Sequence, residues 1–195
     1  MRKTYYLGCL ILTLLICSCK CHQADDITKN SSVDTTHFFP VVDFINGDIN
    51  DVKHVPYFIF KIKTINKKKD SANLTVAEFE RYAQKFMQYD ITKPPLKAQL
   101  KETSFHDNTT KSNTLVYTPV DANVGNIRDI TVLLDEKTDR VKNIFIQTFK
   151  RIKDTTISEN LQWKSRKSFR ITTIKQAKNY DNEETDYISW NEASN

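Results

Sequence analysis

Residues 140–151, RVKNIFIQTFKR, are rich in aromatic and β-branched residues and have the period of two that is typical of β-strands. Successive side chains in a strand point to opposite faces of a sheet, so this period lets one face be buried. The same period begins at Leu96 and continues to Trp190. It predicts further strands at residues 96–105, 114–118, 128–134, 159–164, 169–175 and 187–190.

Short polar segments separate these predicted strands. Two examples are residues 107–113, DNTTKSN, and residues 135–139, DEKTD. Short connections favour antiparallel pairing of successive strands, because a parallel pair needs a crossover of a dozen or more residues. The second half of the chain therefore predicts an antiparallel meander of about six or seven strands.

The segment before the meander has the period of a helix. In residues 74–90, LTVAEFERYAQKFMQYD, Thr75 and Glu78 have the spacing of a capping box. The apolar residues Val76, Phe79, Ala83 and Phe86 follow at helical spacing. The Lys-Pro-Pro sequence at residues 93–95 ends this predicted helix.

An earlier helix is predicted at residues 37–52, followed by a strand at residues 57–65, YFIFKIKTI. The strand would place Phe58, Phe60 and Ile62 on one face, and Lys61 and Lys63 on the other. The lysine run at residues 67–69 is predicted to be a solvated loop. The predicted fold class is α+β, with one or two N-terminal helices packed on the antiparallel meander.

Residues 1–21, MRKTYYLGCLILTLLICSCKC, hold all four cysteines. Two basic residues precede an apolar run at residues 5–17, which is the plan of a secretory signal peptide. A membrane-spanning helix needs roughly 20 apolar residues, and this run stops sooner, at Lys20. We therefore expect a cleaved leader.

The end of the leader, Ile16-Cys17-Ser18-Cys19, resembles the lipobox of bacterial lipoproteins. The resemblance implies cleavage before Cys19 and attachment of lipid to that cysteine. Cys17 and Cys21 fit the pattern less well, because bulky Ile16 or charged Lys20 would then precede the cut.

The chain as a whole resembles small envelope lipoproteins of Bacteroidota, which have such a leader, a polar tether and one domain rich in Lys, Asn and Thr. The predicted organisation is a signal peptide at 1–18, a lipidated cysteine and flexible tether at 19–32, and one globular domain at 33–195. The resemblance implies a location in the bacterial cell envelope, with a lipid anchor in a membrane. We favour the outer membrane over the inner one. The domain would then lie in the periplasm or at the cell surface.

Composition excludes several classes of function. No cysteine follows Cys21, so the domain has no disulfide and no thiol chemistry. The net charge of +5 would fall to +3 on loss of Arg2 and Lys3, which is too low to indicate a nucleic-acid partner. Only three glycines occur, which excludes glycine-rich phosphate and dinucleotide loops. We expect no cofactor.

Glu102, Ser104, His106 and Asp107 form the densest group of candidate catalytic side chains. Because Glu102 and His106 point to the same side of a strand, they could share a proton or a metal. The favoured alternative is a polar strand face that runs into a turn. His37 and His54 could join His106 in a three-histidine site, although their spacing gives no reason to expect it.

Trp163 and Trp190 are weak candidates for a glycan-binding face, since exposed aromatic rings can stack on sugars. Burial in the core is the favoured alternative for both. We favour a non-enzymatic envelope module that binds another protein or a cell-wall component. The alternatives are a hydrolase that uses Glu102 and His106, and a periplasmic inhibitor or immunity protein that inserts residues 107–113 into a partner.

Overall fold

The computed structural model describes residues 38–122 and 125–191. The predicted leader, Cys19, the tether and His37 lie outside the described residues. Within the described part of the chain, no helix has the length and apolar character needed to cross a membrane.

In the described part of the chain, nine strands form one antiparallel sheet. They are β1 (Ile59–Ile65), β2 (Lys68–Leu74), β3 (Leu100–Asp107), β4 (Ser112–Pro119), β5 (Ile127–Asp135), β6 (Val141–Ile152), β7 (Thr155–Lys164), β8 (Ser168–Ala177) and β9 (Tyr180–Ser189). The strand order is β2-β1-β9-β8-β7-β6-β5-β4-β3. The strands from β3 to β9 are neighbours in chain order, and β9 then pairs with β1.

The helices are α1 (Val41–His54), α2 (Val76–Met87) and the single turn α3 (Leu96–Gln99). The capping box of α2 is present: the Thr75 hydroxyl accepts from the Glu78 backbone N–H, and the Glu78 carboxylate accepts from the Thr75 N–H at 2.8 Å. The predicted helix at 74–90 is confirmed.

The predicted α+β class is wrong. Of the described residues, 53% are in strands and 20% in helices, so the fold is mainly β. The meander of six or seven strands is replaced by a nine-stranded sheet. The predicted lysine loop is part of a hairpin, because Asn66 and Lys67 take positive φ in a tight turn and residues 68–74 pair with β1. The first four residues of the predicted strand at 96–105 form the helix α3 instead. At its start, the Lys97 N–H donates to the Lys93 carbonyl.

The helices α1 and α2 cover one face of the sheet, which we call the inner face. An aromatic cluster joins α2 to this face, and its members are Phe79, Phe86, Trp163, Phe169 and Trp190. All of these side chains are buried. Burying aromatic side chains of this size supplies most of the free energy that holds a helix on a sheet.

The first strand has its charged residues on the inner face. Lys61 donates to the Tyr82 hydroxyl of α2 at 3.0 Å, and buried Ile59 shares its face. The alternation predicted from sequence is therefore correct, but the lysines are on the side of the helices, with Phe60 and Ile62 on the opposite, outer face. Helix α2 accounts for this orientation, because it provides a polar partner for a lysine there.

One carboxylate of α1 is buried against the sheet. Asp48 is 7% exposed, and its Oδ2 accepts from the Trp163 Nε1–H and from the Arg166 backbone N–H, both at 2.8 Å. Burial raises the pKa of Asp48, and the two hydrogen bonds oppose that rise. The contact links α1 to β7 and to the turn that follows β7.

Substitutions of Asp48 should show whether its side chain stabilises the fold as a hydrogen-bond acceptor or through its charge. Asp48→Ala leaves the buried Trp163 Nε1–H and the Arg166 backbone N–H without an acceptor and should lower the free energy of unfolding by about 2–5 kcal/mol. Asp48→Asn keeps one oxygen that can accept both bonds and should retain most of the stability. Urea denaturation of both variants at pH 7 measures the difference, and equal losses in the two variants would contradict the acceptor role.

The stability of the parent and of Asp48→Asn should also depend differently on pH. Because the folded-state pKa of Asp48 is raised, the folded protein holds a proton that the unfolded chain has lost, and stability falls as pH rises from about 3.8 through the raised value. Asp48→Asn cannot titrate. Its stability relative to the parent should therefore increase across that interval of pH, as measured by urea denaturation at a series of pH values.

Candidate functional site

The inner face changes from apolar to charged along β6 to β9. Cross-strand rows begin with the buried row Ile188-Phe169-Trp163-Ile144 and the row Asp186-Ile171-Leu161-Ile146, and continue with Glu184-Thr173-Glu159-Thr148 and Asn182-Lys175-Ile157-Lys150. Rows on one face are about 6.7 Å apart. The aromatic cluster covers the first rows, and the later rows remain open.

A cleft of about 500 Å³ lies between α2 and these open rows. We call it the charged cleft. Its lining residues are Arg81, Tyr82, Lys85, Lys150, Ile157, Glu159, Ile171, Thr173, Lys175, Glu184 and Asp186. The helix provides one wall, and four strands provide the floor.

Two ion pairs neutralise carboxylates of the charged cleft. Lys85 of α2 contacts Glu159 of β7 at 2.7 Å, with Glu159 only 17% exposed. Lys63 of β1 pairs with Glu184 of β9. Hydrogen bonding to Glu184 raises the pKa of Lys63. Each of these pairs neutralises one carboxylate of the cleft floor.

Asp186 differs from its neighbours in having no such partner. Its Oδ1 is buried and has no hydrogen bond to a described residue. Burial raises the pKa of Asp186, while the charges of Lys63, Lys61 and Lys85 lower it without a direct contact. A buried oxygen without a donor costs free energy, so the fold alone does not account for this group.

Three cations lie toward solvent: Arg81, Lys150 and Lys175 are exposed, and none is in an ion pair with another residue of the described chain. The Arg81 guanidinium lies 5.7 Å from the centre of the Tyr82 ring, which orients it beside the cleft. The mouth of the cleft is therefore positively charged.

The lining contains no serine, cysteine or histidine, so it offers no Ser-His or Cys-His pair for acyl transfer. Among the described residues, no group of three His, Cys, Asp or Glu side chains has an arrangement that would hold a metal ion. The cleft can provide ionic hydrogen bonds of both signs, which is the chemistry of binding.

The structure does not bring Glu102 and His106 together. Four residues apart on β3, their Cα atoms are separated by about 13 Å. Glu102 receives a hydrogen bond from Tyr117, whose pKa is raised first by burial and further by that bond. His106 is exposed, with Nδ1 3.1 Å from Asn113 Oδ1 and Nε2 3.5 Å from Glu136. The two side chains cannot share a proton or a metal.

The other candidates are also placed by the structure. Trp163 and Trp190 are buried in the core, so neither ring is available to stack on a sugar. His54 ends α1, with Nδ1 2.8 Å from the Asn50 carbonyl. Residues 107–113 include a tight turn in which the Asp107 carboxylate accepts from Thr109 and Thr110, and do not form a long protruding loop.

The residues of the charged cleft were missed because they come from five separate elements. A weak signal exists in β8, where Phe169 and Ile171 are followed on the same face by Thr173 and Lys175. A strand face that changes from apolar to charged residues indicates where the hydrophobic core ends along the strand. It does not show which other strands contribute.

A second recess of about 600 Å³ lies around Phe149 and the β4–β5 connection. We assign it no function. Comparison with known protein families, curated proteins and solved structures finds no match to this chain. The candidate site is thus selected on geometry and charge.

Asp186→Asn should stabilise the protein at neutral pH. The amide pays a smaller desolvation cost than the carboxylate, and the raised pKa of Asp186 means that the parent loses stability as pH rises from about 3.8 through the raised value. Thermal unfolding at pH 7 should show a higher midpoint for Asp186→Asn, and the gain should vanish near pH 3. Asp181→Asn, an exposed change on the same strand, is the control and should shift stability by less than about 0.5 kcal/mol.

Proposed function

We propose that this protein is a non-enzymatic binding module of the bacterial cell envelope, anchored by lipid at Cys19, and that its charged cleft binds a short peptide with free carboxylates. The peptide stem of the cell wall is a ligand of this class. The observation that carries the proposal is the combination of three unpaired cations at the mouth with an unpaired, desolvated carboxylate at Asp186.

Recognition follows from the order of charges in the cleft. Carboxylates of the ligand pair with Lys150, Lys175 and Arg81, which are exposed and available. An amide N–H or ammonium group of the ligand donates to the Asp186 carboxylate, which lines the cleft. A peptide carries both kinds of group on one backbone, whereas a neutral glycan carries neither charge.

The charge of the cleft also argues against a nucleic-acid ligand. Glu159, Glu184 and Asp186 lie among the cations, and a continuous phosphate backbone would be repelled by them. The absence of a serine or cysteine nucleophile with a histidine base in the lining supports binding without turnover.

The anchor is supported by the lipobox-like sequence at residues 16–19. Two or more acyl chains on one protein give stable attachment, so the domain needs no apolar membrane-binding face of its own. The predicted tether at residues 19–32 would let the domain reach the cell wall from the outer membrane.

The cleft is tested by titrating the full-length protein in detergent with a purified disaccharide-tetrapeptide from the cell wall, by isothermal calorimetry. The parent should bind the peptide-bearing fragment and should not bind the disaccharide alone. Lys150→Ala/Lys175→Ala should weaken binding by about tenfold, since exposed ion pairs contribute up to about 1 kcal/mol each. The effect should shrink as salt is added.

Lys137→Ala/Lys178→Ala removes the same charge at exposed positions outside the cleft and is the matched control. It should bind like the parent. Equal loss in both double variants would show that net charge, and not the cleft, determines binding. Binding of the disaccharide alone would show that the ligand is recognised through its sugars.

The anchor is tested by feeding labelled palmitate to cells that make the full-length protein. Cys19→Ala should lose the label and should appear in the soluble fraction or retain its leader. Cys21→Ala is the control and should be labelled like the parent. Label that persists at the parent level in Cys19→Ala would place the lipid on another residue.

A further inference from the structure

Strand β3 is an edge of the sheet, and its centre is open to solvent. The neighbouring residues Thr103, Ser104, Phe105 and His106 are all exposed, and the ring of Phe105 is 55% exposed. An exposed edge strand presents unpaired backbone N–H and C=O groups that can pair with another strand. The strand carries no proline and no bulge within residues 100–107 that would block such pairing.

The register of β3 on β4 determines which groups face the open edge. The Val120 N–H donates to the Gln99 carbonyl at 2.9 Å. Hydrogen-bonded positions alternate along an antiparallel pair, so the odd-numbered residues of β3 bond to β4. The even-numbered residues Glu102, Ser104 and His106 therefore direct their backbone groups outward.

If β3 pairs with β3 of a second copy, each even-numbered residue must lie opposite an even-numbered residue of the other copy. Only these residues direct their backbone groups toward the open edge. With Ser104 opposite Ser104 of a second copy, Glu102 lies opposite His106 and Lys101 lies opposite Asp107. Opposite charges on facing positions stabilise an antiparallel pair, and like charges destabilise it. A shift of the two-fold axis to Thr103 would remove the Lys101–Asp107 charge match, because Lys101 would then face Phe105.

We propose that β3 pairs antiparallel with β3 of a second copy of this chain, about a two-fold axis at Ser104. The three outward residues of each copy exchange six backbone hydrogen bonds. Phe105 of each copy lies opposite the second copy's Thr103 on the outer face, which shields an exposed ring. This pairing is isologous and closed, so it gives a dimer and not a filament.

Pairing over the full length of the other edge strand lacks this complementarity. Self-pairing of β2 about Ser71, which would use the whole strand, places Lys68 opposite Leu74 and Lys69 opposite Asn73. No charge match results. The contrast between the two edges singles out β3 as the interface.

The dimer leaves the charged cleft open, because the cleft lies on β6 to β9 at a distance from β3 in the strand order. A two-fold axis normal to the sheet also keeps both inner faces on the same side. Phe39 is held near this edge by its N–H bond to the Tyr117 hydroxyl at 3.0 Å. The described part of each copy therefore begins on the same side of the dimer. The pairing itself does not depend on the ligand of the cleft.

Ser104→Cys tests the proposal in the full-length protein in membranes, in a Cys21→Ser background. Directly opposed residues in a hydrogen-bonded antiparallel pair have Cα atoms about 5.5 Å apart, within the range that a disulfide spans. Mild oxidation should convert most of the Ser104→Cys protein to a covalent dimer on a non-reducing gel. Ser71→Cys, on the exposed edge strand β2, and the background protein with Ser104 intact are the controls and should remain largely monomeric.

A charge change tests the register. Lys101→Glu in the Ser104→Cys protein places a second acid opposite Asp107 and should slow cross-linking several-fold, whereas Lys101→Gln should have a smaller effect. Ser104→Cys that cross-links no faster than Ser71→Cys would overturn the proposal. Fast cross-linking that Lys101→Glu leaves unchanged would overturn the register.

Discussion

The pairing of β1 with β9 is the constraint on which the rest of the structure depends. It joins the first hairpin to the last strand of the meander across more than one hundred residues of sequence, as the Asn66–Asn182 side-chain bond illustrates. Because α2 follows that hairpin directly, the pairing places α2 across β7 and β8, where its aromatic residues meet Trp163 and Phe169. The same pairing sets Lys63 beside Glu184 of β9, which lines the charged cleft. Contacts of such long range are slow to form, since the closure of a long loop precedes any gain from pairing.

Sequence predicts the parts of this fold that depend on interactions between residues close together along the chain. Helix α2 was predictable because its capping box joins residues only three apart, and the structure contains both bonds. Strand β2 was not predictable from sequence, because six of its seven residues are exposed and they have no apolar pattern. Its partner β1 determines its conformation through the ladder. The inner orientation of Lys61 depends in the same way on Tyr82, a partner that alternation along β1 cannot reveal.

The candidate site was hidden from sequence for a related reason. The group around Glu102 and His106 attracted attention because its members are close in sequence, yet the strand that holds them also separates them. The residues that do converge in the charged cleft are spread over more than one hundred positions, from Arg81 to Asp186. Each occupies an ordinary place in an alternating strand or a helix, and only the register of four strands brings them to one floor.

Two aspartates show why the cleft, and not the core, is assigned a function. Burial raises the pKa of both Asp48 and Asp186. Asp48 is compensated by two N–H donors from distant parts of the chain, and it links a helix to the sheet, so structure alone explains it. Asp186 has a buried oxygen without a donor and lies in an open cleft below three cations. A desolvated charge that the fold leaves uncompensated costs stability, and such a cost is typical of groups whose partner is a ligand.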